Sequence, residues 1–184
     1  MNDLLELIYS ATRAGTGLLR RLSAGAFRPD TAIRLRQPLS PSVTDDSAPR
    51  DTAIVIDVSG SMVACDYPPS RLDGGIQAGM AYAKARAMTH PGDRIAVISF
   101  SDEAHVALPL TPISKSRTIQ TALRKLTIDG GTDLAKGLEA AARLFEDDGS
   151  TGRQRHVIML TDGQGGKPLK QAVRLKEKLG AVID

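Results

Sequence analysis

The sequence predicts an α/β domain: a doubly wound, mostly parallel, Rossmann-like sheet with helices on both faces and one short antiparallel edge strand. Three observations lead there. Short runs such as Ala53-Ile54-Val55-Ile56, RIAVISF (Arg94–Phe100) and HVIML (156–160) are apolar on both faces, so each strand must be covered on both sides. Helix-like stretches alternate with these runs. Only Ser101-Asp102-Glu103 separates 94–100 from 104–108, a spacing that fits an antiparallel hairpin rather than a crossover.

The elements follow in order. Residues 1–25 read as a helix, because Leu4, Leu5, Ile8, Ala11, Leu18, Leu19 and Leu22 recur at three- and four-residue spacing. Gly15 and Gly17 weaken its middle. It is expected to dock on the domain or on a partner; Arg13, Arg20 and Arg21 leave a membrane-surface helix as the alternative. Residues 31–36 alternate like an edge strand and complete an N-terminal unit, 1–36. Residues 37–51 are rich in Pro, Ser and Asp and read as a linker. The main domain is 52–184. Its first strand is Ala53 to Asp57, followed by an Ala-rich helix over 71–89 and the hairpin. Helices over 114–126 and 133–146 come next, then strand 156–160 and a helix over 168–179 stopped by Gly180. Ala181 opens a last strand.

Composition narrows the function. The 184 residues fit one domain with an appendage. Aromatics are 3% with no Trp, so the core must be mainly aliphatic. A single Cys excludes an intrachain disulfide. Met1-Asn2-Asp3 begins no basic leader and no long apolar run follows, so neither a signal peptide nor a membrane span is expected, and the cytoplasm is the simplest location. The net charge of +3 is spread among acids without an aromatic-interleaved basic stripe, so nucleic acid is not an expected partner.

The chemistry lies in three separated segments. Asp57, Ser59 and Ser61 leave the first strand; Thr132 follows Gly130-Gly131 before a helix; Asp162 follows the 156–160 strand. Parallel sheets bind ligands beyond the carboxyl ends of their strands. Carboxylates and hydroxyls are hard donors, suited to Mg²⁺ or Mn²⁺. Two carboxylates and three hydroxyls leave room in a shell of about six, for water or for an acidic side chain of a partner. Each segment alone also has a plain structural role: Ser59-Gly60 as a turn, Thr132 as a helix N-cap with Asp133 as a first-turn acid, Asp162-Gly163 as a turn. Asp66 and Asp73 flank a Pro-rich loop and read as turn and cap residues, with the site's rim as the alternative. His90, His105 and His156 have no ligand spacing, and His156 reads as structural. Cys65 sits in no nucleophile motif. Residues 163–167 (GQGGK) lack the order of a phosphate loop.

Together, Asp57-Val58-Ser59-Gly60-Ser61, Gly130-Gly131-Thr132-Asp133 and Thr161-Asp162-Gly163 resemble the three parts of the metal-ion-dependent adhesion site of von Willebrand factor A domains. The resemblance covers about residues 51–184. Residues 62–72 (MVACDYPPSRL), Gly92-Asp93-Arg94-Ile95 and Leu108-Pro109-Leu110-Thr111 are similar to bacterial aerotolerance proteins of the BatA/BatB type. That subgroup implies a MoxR-type AAA+ ATPase as a partner. Its membrane helices do not occur in this sequence, which argues against its membrane location here. Domains of the resembled family continue with the rest of a strand, a further strand and a closing helix. The domain is therefore expected to look truncated at its C-terminus, with three explanations: a shortened chain, a naturally short protein, or completion by another chain or by the 1–25 helix, which could cover the face so exposed.

The expected function is a divalent-metal-dependent protein-interaction module, not an enzyme, that binds an Asp or Glu of a partner. One alternative is a structural subunit with a silent metal site. The other is a Mg²⁺-dependent phosphoryl-transfer enzyme with Asp57 as nucleophile. Such an enzyme would want a second acid on the first loop, where Val58 and Ser59 stand instead, and a Lys at a later strand end.

Overall fold

In the computed structural model, which describes residues 48–163 and 165–184, five strands form one sheet. They are β1 (Arg50–Asp57), β2 (Arg94–Phe100), β3 (Ala104–Pro112), β4 (Gln154–Leu160) and β5 (Val182–Ile183), in the order β3-β2-β1-β4-β5. β1 pairs in parallel with β2 and β4, and β4 with β5; β2 and β3 are antiparallel. This is the mostly parallel α/β sheet with an antiparallel edge that the apolar runs predict. The helix expected over 1–25 and the strand over 31–36 lie outside the described residues.

β1 is central, and its residues from Asp51 to Asp57 are all buried. Successive side chains point to opposite faces. Ile54 and Ile56 enter one core with Leu72, Ile95, Val97, Ile119 and Leu123, under α1 (Arg71–Thr89) and α2 (Ser116–Arg124). Ala53 and Val55 enter the other with Ile98, Phe100, Leu138, Phe145 and Leu175. That core lies under α3 (Leu134–Asp148) and the segment formed by α4 (Leu169–Val173) and a π-helical turn, Arg174–Lys178. Aliphatic side chains fill most of both cores. Each such Ile or Leu contributes about 1.5–3 kcal/mol through burial.

Three boundaries differ from expectation. β1 begins at Arg50, inside the stretch read as linker, because its acid is satisfied within the fold. Asp51, 2% exposed, accepts from Arg94 Nε and Nη2 at 2.8 and 2.6 Å and from Arg153 Nε at 2.6 Å. β3 extends past residue 108 to Pro112, with register shifts opposite Ile95–Ile98. An edge strand tolerates Pro109 and Pro112 because their missing N–H groups interrupt no inner ladder. Finally, 168–179 is not one regular helix; its π turn coincides with Leu175, which is fully buried. Gly180, at φ +62°, ends that segment.

The start of α1 is set by a reciprocal cap. Ser70 is the N-cap: its hydroxyl accepts from Asp73 N at 3.1 Å and donates to Asp73 Oδ2 at 2.6 Å, so Asp73 supports the cap as a first-turn acid. The Arg-Asp cluster around Asp51 lies at the amino ends of the strands. The opposite edge carries the candidate site.

Candidate metal centre at the carboxyl edge of the sheet

Asp57 is the last residue of β1, and Ile56 is in register with Leu160 of β4. The first and third motifs therefore leave the sheet at the same edge. Asp57 is fully buried. Its Oδ1 accepts from Ser59 N at 2.9 Å and its Oδ2 accepts from the Thr161 hydroxyl at 2.7 Å. Both donors are neutral, and among the described residues Asp57 has no ion pair. A carboxylate buried without a cation is costly, and a divalent ion would relieve that cost. Ser59, 1% exposed, lies with its Oγ 3.1 Å from that of Ser61. A 3₁₀ turn, Gly60–Val63, brings Ser61 back toward the edge while Met62 anchors the turn in the core.

The second loop is tied to the first through backbone. Asp129 N donates to Val58 O at 2.7 Å, and Gly60 N donates to Gly130 O at 3.1 Å. Gly130 has φ +56°, and a Cβ there would lie 2.7 Å from Asp102 Oδ2, so the position demands glycine. Gly131 N donates to the same Asp102 oxygen at 2.8 Å. The N-cap of α3 is Asp133, whose Oδ1 accepts from Ala135 N at 2.9 Å. Capping thus falls to Asp133 rather than Thr132, and the Thr132 hydroxyl is not spent on the helix end.

The third loop touches both others. Thr161 bridges to Asp57 as described, and its hydroxyl accepts from Gly163 N at 3.2 Å. Gly165, at φ +125°, lies against Thr132: a Cβ there would be 2.8 Å from Thr132 Cγ2. Asp162, its side chain 7% exposed, accepts on Oδ2 from Arg71 Nη1 at 2.8 Å. Arg71 also grips Asp66 through Nε and Nη2 at 2.8 and 2.5 Å. That guanidinium holds the Asp66 carboxyl below its ordinary range, and Asp66 chiefly raises Arg71.

All five expected donors thus belong to three mutually contacting loops at one edge. Sequence reasoning missed two participants. Thr161 stands inside the third motif, where its hydroxyl could have been counted. Arg71 gives no local signal, since only the fold brings it to Asp162. Asp66 is on the rim, as an anchor for Arg71. His156 is structural: it is buried, edge-on to Tyr82 at 6.3 Å, with Nε2 2.6 Å from Asp184 Oδ2, and burial lowers its pKa. Cys65 is exposed. Among the described residues no three His, Cys, Asp or Glu side chains group as a metal site. The candidate set is instead two carboxylates and hydroxyls, the chemistry of a hard cation.

The fold and these loops define an α/β domain that carries polar donors on the carboxyl edge of its sheet. Residues 52–164 match the von Willebrand factor type A domain, and the chain belongs to that family. Domains of this family commonly serve as protein-interaction modules. The chain is 30% identical over 143 residues to a UPF0353 protein of Mycolicibacterium paratuberculosis, covering 74% of this chain but 42% of that relative. It thus spans less than half the length of that relative. Among solved structures it resembles an aerotolerance-related membrane protein of Bacteroides fragilis, at 25% identity and TM-score 0.62, covering 73% of this chain and 65% of that one. BatB of Bacteroides thetaiotaomicron shares the fold at 24% identity and TM-score 0.61, over 73% and 64% of the two chains. These neighbours agree with the aerotolerance-type resemblance of the motifs. Among the described residues no helix is long and apolar enough to cross a membrane.

Proposed function

We propose that the chain is a divalent-metal-dependent protein-interaction module. Asp57, Ser59, Ser61, Thr132 and Asp162 hold Mg²⁺ or Mn²⁺. Bound there, the cation supplies a coordination position that an Asp or Glu of a partner protein fills. The observation that carries this reading is Asp57, a fully buried carboxylate with two neutral donors and hydroxyls beside it. Ser59 N–H and Thr161 O–H orient that carboxylate, while the Gly60–Gly130 and Val58–Asp129 bonds hold the second loop against the first. The similarity to aerotolerance-type proteins extends the proposal to a MoxR-type AAA+ ATPase as partner, in the cytoplasm.

The same geometry favours binding over phosphoryl transfer. Such transfer would want a second acid on the first loop and a Lys at a later strand end, whereas Val58 and Ser59 follow Asp57 and the cation beside Asp162 is Arg71, tied to Asp66. An affinity pull-down with Mg²⁺ or with EDTA, using wild type and Asp57→Ala, tests the reading. Capture of a partner only by wild type and only with Mg²⁺ is expected. Capture that is indifferent to EDTA and to Asp57→Ala would overturn it.

A further inference from the structure

Arg71 is an unusual choice for its position. It is the first residue of α1, and a cation in a helix's first turn opposes the helix dipole. Two acids offset that cost, and they hold the guanidinium unequally. Asp66, more than half exposed, takes a two-bond fork; Asp162, at 7% exposure, takes one bond. The fork fixes Arg71 independently of Asp162, and bidentate pairing is the stronger of the two modes. Asp162 is buried enough to require a nearby positive charge. Release of Asp162 by Arg71 costs one hydrogen bond and leaves the fork intact.

We propose that Arg71 is a built-in counter-cation of the metal site: it pairs with Asp162 when no divalent ion is bound, and retreats onto Asp66 when one enters. The inference rests on the metal-binding reading above and goes beyond it, because it gives Arg71 and Asp66 opposite roles in affinity. Arg71 competes with the ion for Asp162. Asp66 supplies the place to which Arg71 withdraws. The backbone of Arg71 donates to Ala64 O at 2.9 Å, so the rim loop stays closed without the side chain.

The test is Mg²⁺ and Mn²⁺ titration calorimetry on wild type, Arg71→Gln, Asp66→Asn, the double variant and Asp57→Ala, each paired with thermal unfolding. Arg71→Gln is expected to bind roughly tenfold more tightly, since the competitor is gone. It should also melt below wild type in EDTA and recover with Mg²⁺. Asp66→Asn is expected to bind about threefold more weakly, because Asp162 is then the one acid that pairs with Arg71 among the described residues. The double variant should match Arg71→Gln. General damage to the rim would weaken both single variants alike, and that result, or no change in either, overturns the role of Arg71 while wild-type binding lost in Asp57→Ala leaves the metal site standing. Wild type that takes up neither ion, or Asp57→Ala that binds like wild type, overturns both.

Discussion

Gly137→Ala offers a sharp test of how tightly α3 is seated on the sheet. A Cβ at Gly137 would lie 2.9 Å from Val55 Cγ1 and Phe100 Cδ1 and 3.0 Å from Phe100 Cγ. Val55 and Phe100 are both fully buried, so neither has room to yield. Overpacking of this kind costs about 1–3 kcal/mol. The helix preference of Ala over Gly returns about 1 kcal/mol. A net loss of up to about 2 kcal/mol is expected, which lowers the melting temperature by up to about 8 °C. Gly75→Ala is the control. Its Cβ would meet Ile56 and Leu160 at 3.7 and 3.9 Å, ordinary contacts, so the helix term alone operates. That variant should gain about 0.5–1 kcal/mol and melt a few degrees higher. Thermal unfolding followed by circular dichroism compares the two with wild type. Thr132 stands two residues before α3, so displacement of the helix in Gly137→Ala should also reduce the thermal shift that the proposed metal site would give with Mg²⁺. If Gly137→Ala melts at or above Gly75→Ala, the close seating of α3 is refuted.

Two further outcomes follow from the charged cluster at the amino ends. Asp51→Ala leaves the guanidinium groups of Arg94 and Arg153 without their shared buried acid, and should cost about 3–5 kcal/mol in urea unfolding. Asp148 is held at about 2, below the ordinary 3.8, chiefly by its hydrogen bond from Arg94. A depressed folded-state pKa gives stability that is complete above the unfolded value and lost as pH falls through the folded one. The urea midpoint of wild type should therefore drop between about pH 4 and pH 2 more steeply than that of Asp148→Asn.

The sheet was legible because its strands are apolar on both faces, and only a buried parallel arrangement makes use of that. The hairpin was legible from a turn too short for a crossover. Arg50 and Asp51 were not, since charged residues seldom enter a central strand; the partners that permit them, Arg94 and Arg153, lie 43 and 102 residues from Asp51. The end of β3 was obscured by Pro109, whose meaning depends on which edge its strand occupies. At the candidate site the donor types and their order were readable as motifs, because each sits where a strand ends or a helix begins. The division of labour between Thr132 and Asp133 was not, since either side chain can cap a helix and only the backbone angle decides. Arg71 was invisible for a different reason: its two acids come from a nearby loop and from the far side of the chain, and nothing local links them.

The backbone bonds from Asp129 to Val58 and from Gly60 to Gly130 extend the reach of the central strand into the loops beyond it. Docking usually requires loose segments to surrender freedom, at a cost that subtracts from affinity. Here much of that surrender was made when the chain folded. Under the proposed function, a partner would meet a surface already set in shape, and the fit of its acidic side chain, more than rearrangement of these loops, would govern how fast it is released.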